Sequence, residues 1–343
     1  MNSEKFEIGL GNNDPSIRNF AKKDYLAFWN ECAKSLSWFE PWCETLQWDP
    51  PFARWFIGGK INAAHNTLDV HQDSKSNKTA ILWEGEDGTN RKITYKDIFE
   101  QVKKLANVLK SLGVKKGDRV TIYLPMIPEL PISMLAVVFS GFSAKSLADR
   151  VEDSQSKVII TADGGYRKGK IINLKEIVDE SASSIQFVKN VIVYQRTGQK
   201  IQINEKDLLW SDVMKTSSNV CESEKLESTD SLYILYTSGT TGKPKGVLHG
   251  IGGYLTHLYS TYKWAFDIKD DDIYFCTADI GWVTGHSYVV YGPMLHGATQ
   301  VMYEGAPDYP DSSRMWDIIQ KYGVTIFYTT PTALRMLMKF GDD

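Results

Sequence analysis

The run Tyr236-Thr237-Ser238-Gly239-Thr240-Thr241-Gly242-Lys243-Pro244-Lys245-Gly246 constrains this chain more than any other stretch of it. It follows Ser231-Leu232-Tyr233-Ile234-Leu235, which is apolar, short and β-prone enough to form a buried strand. That strand delivers a loop of small hydroxyl residues, glycines and two lysines. Glycines let backbone N–H groups approach an anion, hydroxyls donate hydrogen bonds and lysines neutralise charge, so the loop suits a polyphosphate. The Gly-x-x-x-x-Gly-Lys-Ser/Thr spacing of a Walker loop is absent. A plain surface turn has no use for this combination of residues.

With 343 residues the chain holds one large domain or two medium ones with ample core. Its net charge of −3 gives no electrostatic footprint for nucleic acid. Cys32, Cys43, Cys221 and Cys276 are scattered without a Cys-x-x-Cys pair, which fits a reducing cytoplasm better than a disulfide framework. No apolar run approaches membrane-spanning length, and no leader-like N-terminus is present, so neither a membrane nor a nucleic acid is expected as partner. Nothing in the sequence sets the oligomeric state.

Residues 1–75 differ from the rest. Trp29, Trp38, Trp42, Trp48 and Trp55 fall here, half of the chain's ten tryptophans, yet without regular spacing. Irregular aromatics fit a cap packed onto the main domain better than a binding platform. From about residue 80 helices alternate with strands. Thr94 with Asp97 reads as a capping box, Val102, Leu105, Ala106, Leu109 and Leu112 as an apolar stripe, and Gly113 as a stop. Strands are expected near Val120–Leu124, Val158–Thr161, Val191–Tyr194, Leu232–Tyr236, Ile273–Thr277, Gln300–Tyr303 and Val324–Tyr328. This alternation predicts an α/β fold, helices packed on mostly parallel sheets, with ligands at the carboxyl ends of strands. The polar run Lys215–Thr229 reads as an exposed linker. From Pro131 a helix runs into the strand-like Val137-Val138-Phe139 with no turn residue between, so the fold is expected to be rearranged there.

Two further segments have the makings of sites. Tyr166-Arg167-Lys168-Gly169-Lys170 gathers three cations around a glycine, which suits a phosphate-rich nucleotide tail and equally a solvated charge cluster. Gly281-Trp282-Val283-Thr284-Gly285-His286 sets a β-branched wall beside a hydroxyl, which suits a short acyl group and equally the packing of a helix N-terminus. His249 and His286 have no partners that imply a triad, and no histidine spacing fits a metal.

These residues carry a resemblance. The Tyr236–Gly246 run resembles the signature loop of the adenylate-forming superfamily. The stretch Asp279–Tyr288, with Tyr291-Gly292-Pro293, Trp55–Lys60, Gly141-Phe142-Ser143 and Thr161–Gly165, is similar to the AMP-forming acetyl-CoA synthetases within it. The resemblance implies the fold of that family's large N-terminal domain, with an AMP-binding domain over 76–343 that is incomplete at its C-terminal end. It implies acetate–CoA ligase chemistry with ATP, Mg2+ and coenzyme A, and short-chain carboxylates as substrates. Thr237, Ser238, Gly239, Thr240, Thr241, Gly242, Lys243, Lys245 and Gly246 would bind ATP phosphates. Thr240, Lys243 and Lys245 would be catalytic, and Thr240 would neighbour the Mg2+. Trp282, Val283 and Thr284 would line the acyl pocket, with Thr284 also near CoA. Arg167, Lys168, Gly169 and Lys170 would grip the 3′-phospho-ADP end of CoA, Lys170 standing where relatives have a second arginine. Relatives carry an extra segment where the helix after Pro131 meets Val137. They also continue past the position of Asp343, into a small domain with the lysine needed for adenylation. On that pattern this chain is expected to be a truncated form with little or no activity. Propionyl- or 3-hydroxypropionyl-CoA synthesis, or a non-catalytic nucleotide- or CoA-binding module, stand as alternatives.

Overall fold

Continuous apolar runs on both faces are what a strand needs to lie inside a parallel sheet, and Val120–Tyr123 and Val158–Ala162 are buried along their whole length. A computed structural model of the chain describes residues 15–137, 147–182, 185–237 and 245–341. In it these strands form a parallel sheet ordered Asp207–Leu209, Asn190–Tyr194, Val158–Ala162, Val120–Tyr123. A second sheet runs Ile326–Tyr328, Ile273–Cys276, Thr299–Glu304, Thr79–Gly85, Asn90–Thr94. It is parallel except for its last pair, which is antiparallel. The expected α/β architecture with parallel-dominated sheets is therefore present.

The helix Tyr95–Ser111 joins the two sheets, and its sequence accounts for it. Thr94 and Asp97 form the reciprocal capping box, and Gly113 takes the left-handed conformation (φ +76°) that stops it. Ile98, Val102, Leu105, Val108 and Leu109 are buried in the main core. That core also takes Leu36, Ile61 and Leu68 from the N-terminal segment and Tyr262, Tyr291 and Leu295 from the second half of the chain. The N-terminal rings pack on the helix Ile251–Trp264: Phe28 lies 5.3 Å from Trp264, and Trp29 6.4 Å from His257.

Two readings change. The Ser231–Thr237 strand exists but lies outside the parallel sheets. It pairs antiparallel with Lys245–Gly250, a strand the sequence reading did not place. Seven residues separate the two, enough for a hairpin and too few for the crossover that parallel pairing requires. The polar run Lys215–Thr229 is not a free linker. Leu226–Glu227 pairs with Lys60–Ile61, and Asn107 Nδ2 donates to the carbonyls of Ser218 and Val220 at 2.8 and 2.9 Å. The residues expected to be rearranged after Val137 lie outside the described set. On the described side, Met134, Leu135, Ala136 and Val137 line an apolar cavity of about 380 Å³.

His296 makes the core sensitive to acid. Its ring stacks on Tyr259 at 4.2 Å, and Nε2–H donates to the Tyr259 carbonyl at 2.9 Å. Burial pushes its pKa down to about 4, the Tyr259 bond opposing and His71 and Lys75 assisting. An unfolded chain takes up this proton near pH 6.5 and the folded chain only near 4, so acidification between these values favours unfolding. The window is worth roughly 3 kcal/mol. Unfolding temperature is expected to fall from pH 6.5 to pH 4, and His296→Gln to flatten that slope. An unchanged slope in the variant would contradict this.

Candidate active site

The hairpin of Ser231–Thr237 and Lys245–Gly250 brings the polyphosphate loop to one point, because Thr237 and Lys245 are paired where the chain leaves and returns. Ser238, Gly239, Thr240, Thr241, Gly242 and Lys243 lie outside the described residues. Lys245 and Gly246 lie within them and are exposed. A Cβ on Gly246 would stand 3.0 Å from the Ile234 side chain and 3.4 Å from the Tyr236 ring, so close strand packing selects glycine there. The Tyr236 hydroxyl donates to the Asp153 carboxylate on the helix Leu147–Ser154, tying the mouth of the loop to a neighbouring element.

An aromatic cluster joins this hairpin to the segment that carries Trp282, Val283 and Thr284. His249 stacks on Tyr233 at 4.5 Å, Tyr233 meets the His286 ring at 4.5 Å, and the Tyr254 and Ser287 hydroxyls are 2.9 Å apart. Burial lowers the pKa of His249, keeping the stacked ring neutral. Just before His286 the Asp279 carboxylate accepts from Gly281 N at 2.7 Å. Gly285 packs so tightly on the Asp279 carbonyl that no side chain fits. This turn presents Trp282 and Val283 at the surface, 65% and 45% exposed, with Thr284 half-buried beside them. His286–Tyr291 then forms a π-helical stretch, a geometry frequent at functional sites.

The cationic segment forms a second hairpin, Gly165–Arg167 with Lys170–Ile172. Lys168 and Gly169 both have positive φ (+51° and +71°), as a two-residue primed turn requires. Its parts are used differently. Lys168 Nζ pairs with Asp308 at 2.8 Å, and Gly169 N–H donates to Glu86 at 2.8 Å. Arg167 and Lys170 face each other across the hairpin, both exposed and without an ion pair among the described residues. Like charges placed directly opposite destabilise a hairpin unless an anion lies between them.

Arg167 stands at the edge of a cavity of about 600 Å³ between the carboxyl ends of the two sheets, whose walls include Pro125, Cys276, Asp279, Tyr303 and Glu304. This is where open α/β sheets hold their ligands. Its wall is organised by Arg196, which sequence reading missed. The Arg196 guanidinium lies 4.9 Å from the Trp83 ring and 4.7 Å from the Tyr166 ring. It also donates to Glu304 at 2.7 Å and to Asp87 at 2.9 Å. Burial pushes the Glu304 carboxyl up and Arg196 opposes that push. Glu304 also accepts from Tyr166 N–H at 3.2 Å, fixing the cationic hairpin to the sheet. The buried Asp163 accepts backbone N–H bonds from Gly164, Arg196, Thr197 and Gly198, which aims the Arg196 segment. The parallel tripeptides Trp83-Glu84-Gly85 and Tyr303-Glu304-Gly305 were the available signal, since both put a carboxylate at a strand's carboxyl end.

Residues 68–343 match the family model described as AMP-binding enzyme, and residues 16–67 match acetyl-coenzyme A synthetase N-terminus. The chain is 52% identical to acetyl-coenzyme A synthetase of Rubrobacter xylanophilus, over 98% of this chain and 54% of that protein. It is 51% identical to the enzyme of the same name from Methanothrix thermoacetophila, over 96% of this chain and 52% of that one. The corresponding protein of Pyrobaculum arsenaticum is 53% identical, over 92% and 51%. Parallel-dominated sheets with a cavity at their carboxyl ends define an α/β protein. The chain belongs to the AMP-binding enzyme family, and it spans about half the length of the curated relatives it matches.

Replacing Arg196 by Met leaves Glu304 buried and unpaired, so a loss of about 3–5 kcal/mol in urea unfolding is expected. Adding Glu304→Gln is expected to recover part of that loss. Equal stability of Arg196→Met and the wild type would contradict this account of the wall.

Proposed function

We propose that this chain forms the N-terminal part of an AMP-forming acetate–CoA ligase. A carboxylate oxygen of acetate attacks the α-phosphorus of ATP, the bond to the β-phosphate breaks, and pyrophosphate leaves. The sulfur of CoA then attacks the acyl carbon, AMP leaves with the carboxyl oxygen, and the thiol proton passes to solvent. Charge moves onto phosphate in the first step, so neutralisation and positioning supply most of the acceleration. In this reading Thr237, Ser238, Gly239, Thr240, Thr241, Gly242, Lys243, Lys245 and Gly246 hold the phosphates. Trp282, Val283 and Thr284 receive acetate or a slightly longer acid, and Arg167 with Lys170 binds the terminal phosphate of CoA.

The observation that carries the reading is the joining of the loop-bearing hairpin to the Trp282–Thr284 turn through Tyr233 and His286. That contact supports reading the phosphate and acyl segments as parts of one unit. Arg167 and Lys170, facing each other with no ion pair among the described residues, fit a phosphate-ended cofactor. For Mg2+ the described residues offer no cluster of three acidic, histidine or cysteine side chains. The cation would rest on phosphate oxygens with Thr240 beside it. We further propose that 1–75 acts as a cap on the 76–343 unit. All four cysteines are free and no described helix is long and apolar enough to cross a membrane, which supports placing the protein in the cytoplasm. The alternative reading is a nucleotide- or CoA-binding module without adenylation.

Exchange of labelled pyrophosphate into ATP, with acetate and propionate in parallel, separates the readings. The chain is expected to bind MgATP, and Lys243→Ala to weaken that binding at least tenfold. Acetate-dependent exchange supports the ligase, and binding without exchange supports the module. Neither binding nor exchange would contradict both.

A further inference from the structure

Glu86 spends both carboxylate oxygens on backbone N–H groups of two separate segments. Oε1 accepts from Gly169 at 2.8 Å, in the turn of the cationic hairpin. Oε2 accepts from Ala306 at 2.8 Å, just past the strand Thr299–Glu304. Glu86 itself follows Gly85, which ends the strand Thr79–Gly85 and pairs with Glu304. One half-buried side chain therefore ties the ends of two neighbouring parallel strands to the tip of the hairpin. The packing around it is close. A Cβ on Gly305 would stand 2.9 Å from the Glu86 Cβ, and a Cβ on Gly169 would collide with the Tyr309 hydroxyl.

The hairpin needs such a tie. It consists of the pairs Gly165 with Ile172, Tyr166 with Ile171 and Arg167 with Lys170, and a two-stranded unit of that length is marginal in water. Its last pair sets two cations directly opposite, which pushes the strands apart. Three carboxylates act on it from outside. Glu304 takes Tyr166 N–H near the base at 3.2 Å, Asp308 takes Lys168 Nζ at 2.8 Å, and Glu86 takes the backbone of the turn itself. The first belongs to the ionic joint with Arg196, and the second restrains a flexible side chain. The third fixes Gly169, next to Lys170, and so sets where Lys170 stands against Arg167. Directly opposed Cβ atoms lie roughly 4.5–5.5 Å apart, which lets both head groups close on one phosphate group while the turn keeps its geometry.

We propose that Glu86 is a positioning residue for phosphate recognition, holding the Lys168-Gly169 turn so that Arg167 and Lys170 close on one phosphate group. The proposal rests on the reading of those two residues as the seat of the terminal phosphate of CoA. It assigns the selectivity of that seat to a residue that does not touch the ligand. A carboxylate near a phosphate repels it through space, so Glu86 acts through geometry, with both its oxygens taken by N–H donors.

The test titrates CoA and dephospho-CoA into wild type, Glu86→Ala, Glu86→Gln and Arg167→Ala, and records the unfolding temperature of each free protein. Wild type is expected to favour CoA at least tenfold. Glu86→Ala is expected to lose most of that preference while its affinity for dephospho-CoA stays near the wild-type value. Glu86→Gln, which keeps one acceptor oxygen, is expected to fall between. A wild-type preference in the Glu86 variants overturns the proposal. A parallel loss of affinity for both ligands overturns it too, being the mark of a purely structural tie. Should Glu86→Ala fail to fold, Glu86→Gln decides by the same criteria. If Arg167→Ala abolishes the preference and the Glu86 variants keep it, the phosphate seat survives and this inference alone fails. Equal binding of the two ligands by wild type, or binding of neither, overturns both.

Discussion

Arg196 decides how the two sheets meet. A guanidinium lying between the Trp83 and Tyr166 rings, and bonded to Glu304 and Asp87, links the carboxyl end of one sheet to that of the other. Burial of charge at this depth is tolerated only when every group is paired. Arg196 is paired by Glu304 and Asp87, and its turn is held by the backbone N–H bonds that Asp163 accepts from Arg196, Thr197 and Gly198. The cavity and the cationic hairpin both depend on that joint. The cavity of about 600 Å³ is the space the joint leaves between strand ends. The Gly165–Ile172 hairpin is hung from the same Glu304 through Tyr166 N–H.

The polyphosphate hairpin is built on different physics. It stands apart from both parallel sheets as a two-stranded antiparallel unit, and a pair of strands alone is marginal in water. It is held instead by rings. Tyr233 contacts His249, Tyr254, His286 and Tyr291 within 4.5–6.2 Å, so the segment from His286 to Tyr291 and the paired strands of the hairpin share one support. An ionic joint at the cavity and an aromatic one at the loop would respond differently to salt, the first being electrostatic and the second largely apolar.

How much of this was legible depended on whether the cause was local. The Tyr95–Ser111 helix was, because its cap, stripe and stop lie within twenty residues. The parallel strands were, because burial on both faces writes a continuous apolar run. Lys245–Gly250 was not, since a strand with glycine at its second and last positions and five exposed residues carries no alternation. Arg196 was not, because Arg196-Thr197-Gly198 looks like any polar turn and its acidic partners are 108 and 109 residues away. Of the five proposed CoA residues, Arg167, Lys168, Gly169 and Lys170 are contiguous in the sequence and Thr284 lies apart. The sequence could not tell that Lys168 is engaged by Asp308 while Arg167 and Lys170 face each other without an ion pair among the described residues. The loop residues Ser238–Lys243 were legible as chemistry, and they lie outside the described residues.

The proposal that depends most on this arrangement is that Arg167 at the cavity edge and Lys170 opposite it, on the hairpin hung from Glu304, recognise a terminal phosphate on CoA. Calorimetric titration of the chain with CoA and with dephospho-CoA, at fixed salt, tests it most directly. The account predicts that CoA binds at least tenfold more tightly. Equal affinities, or no binding of either, would contradict it.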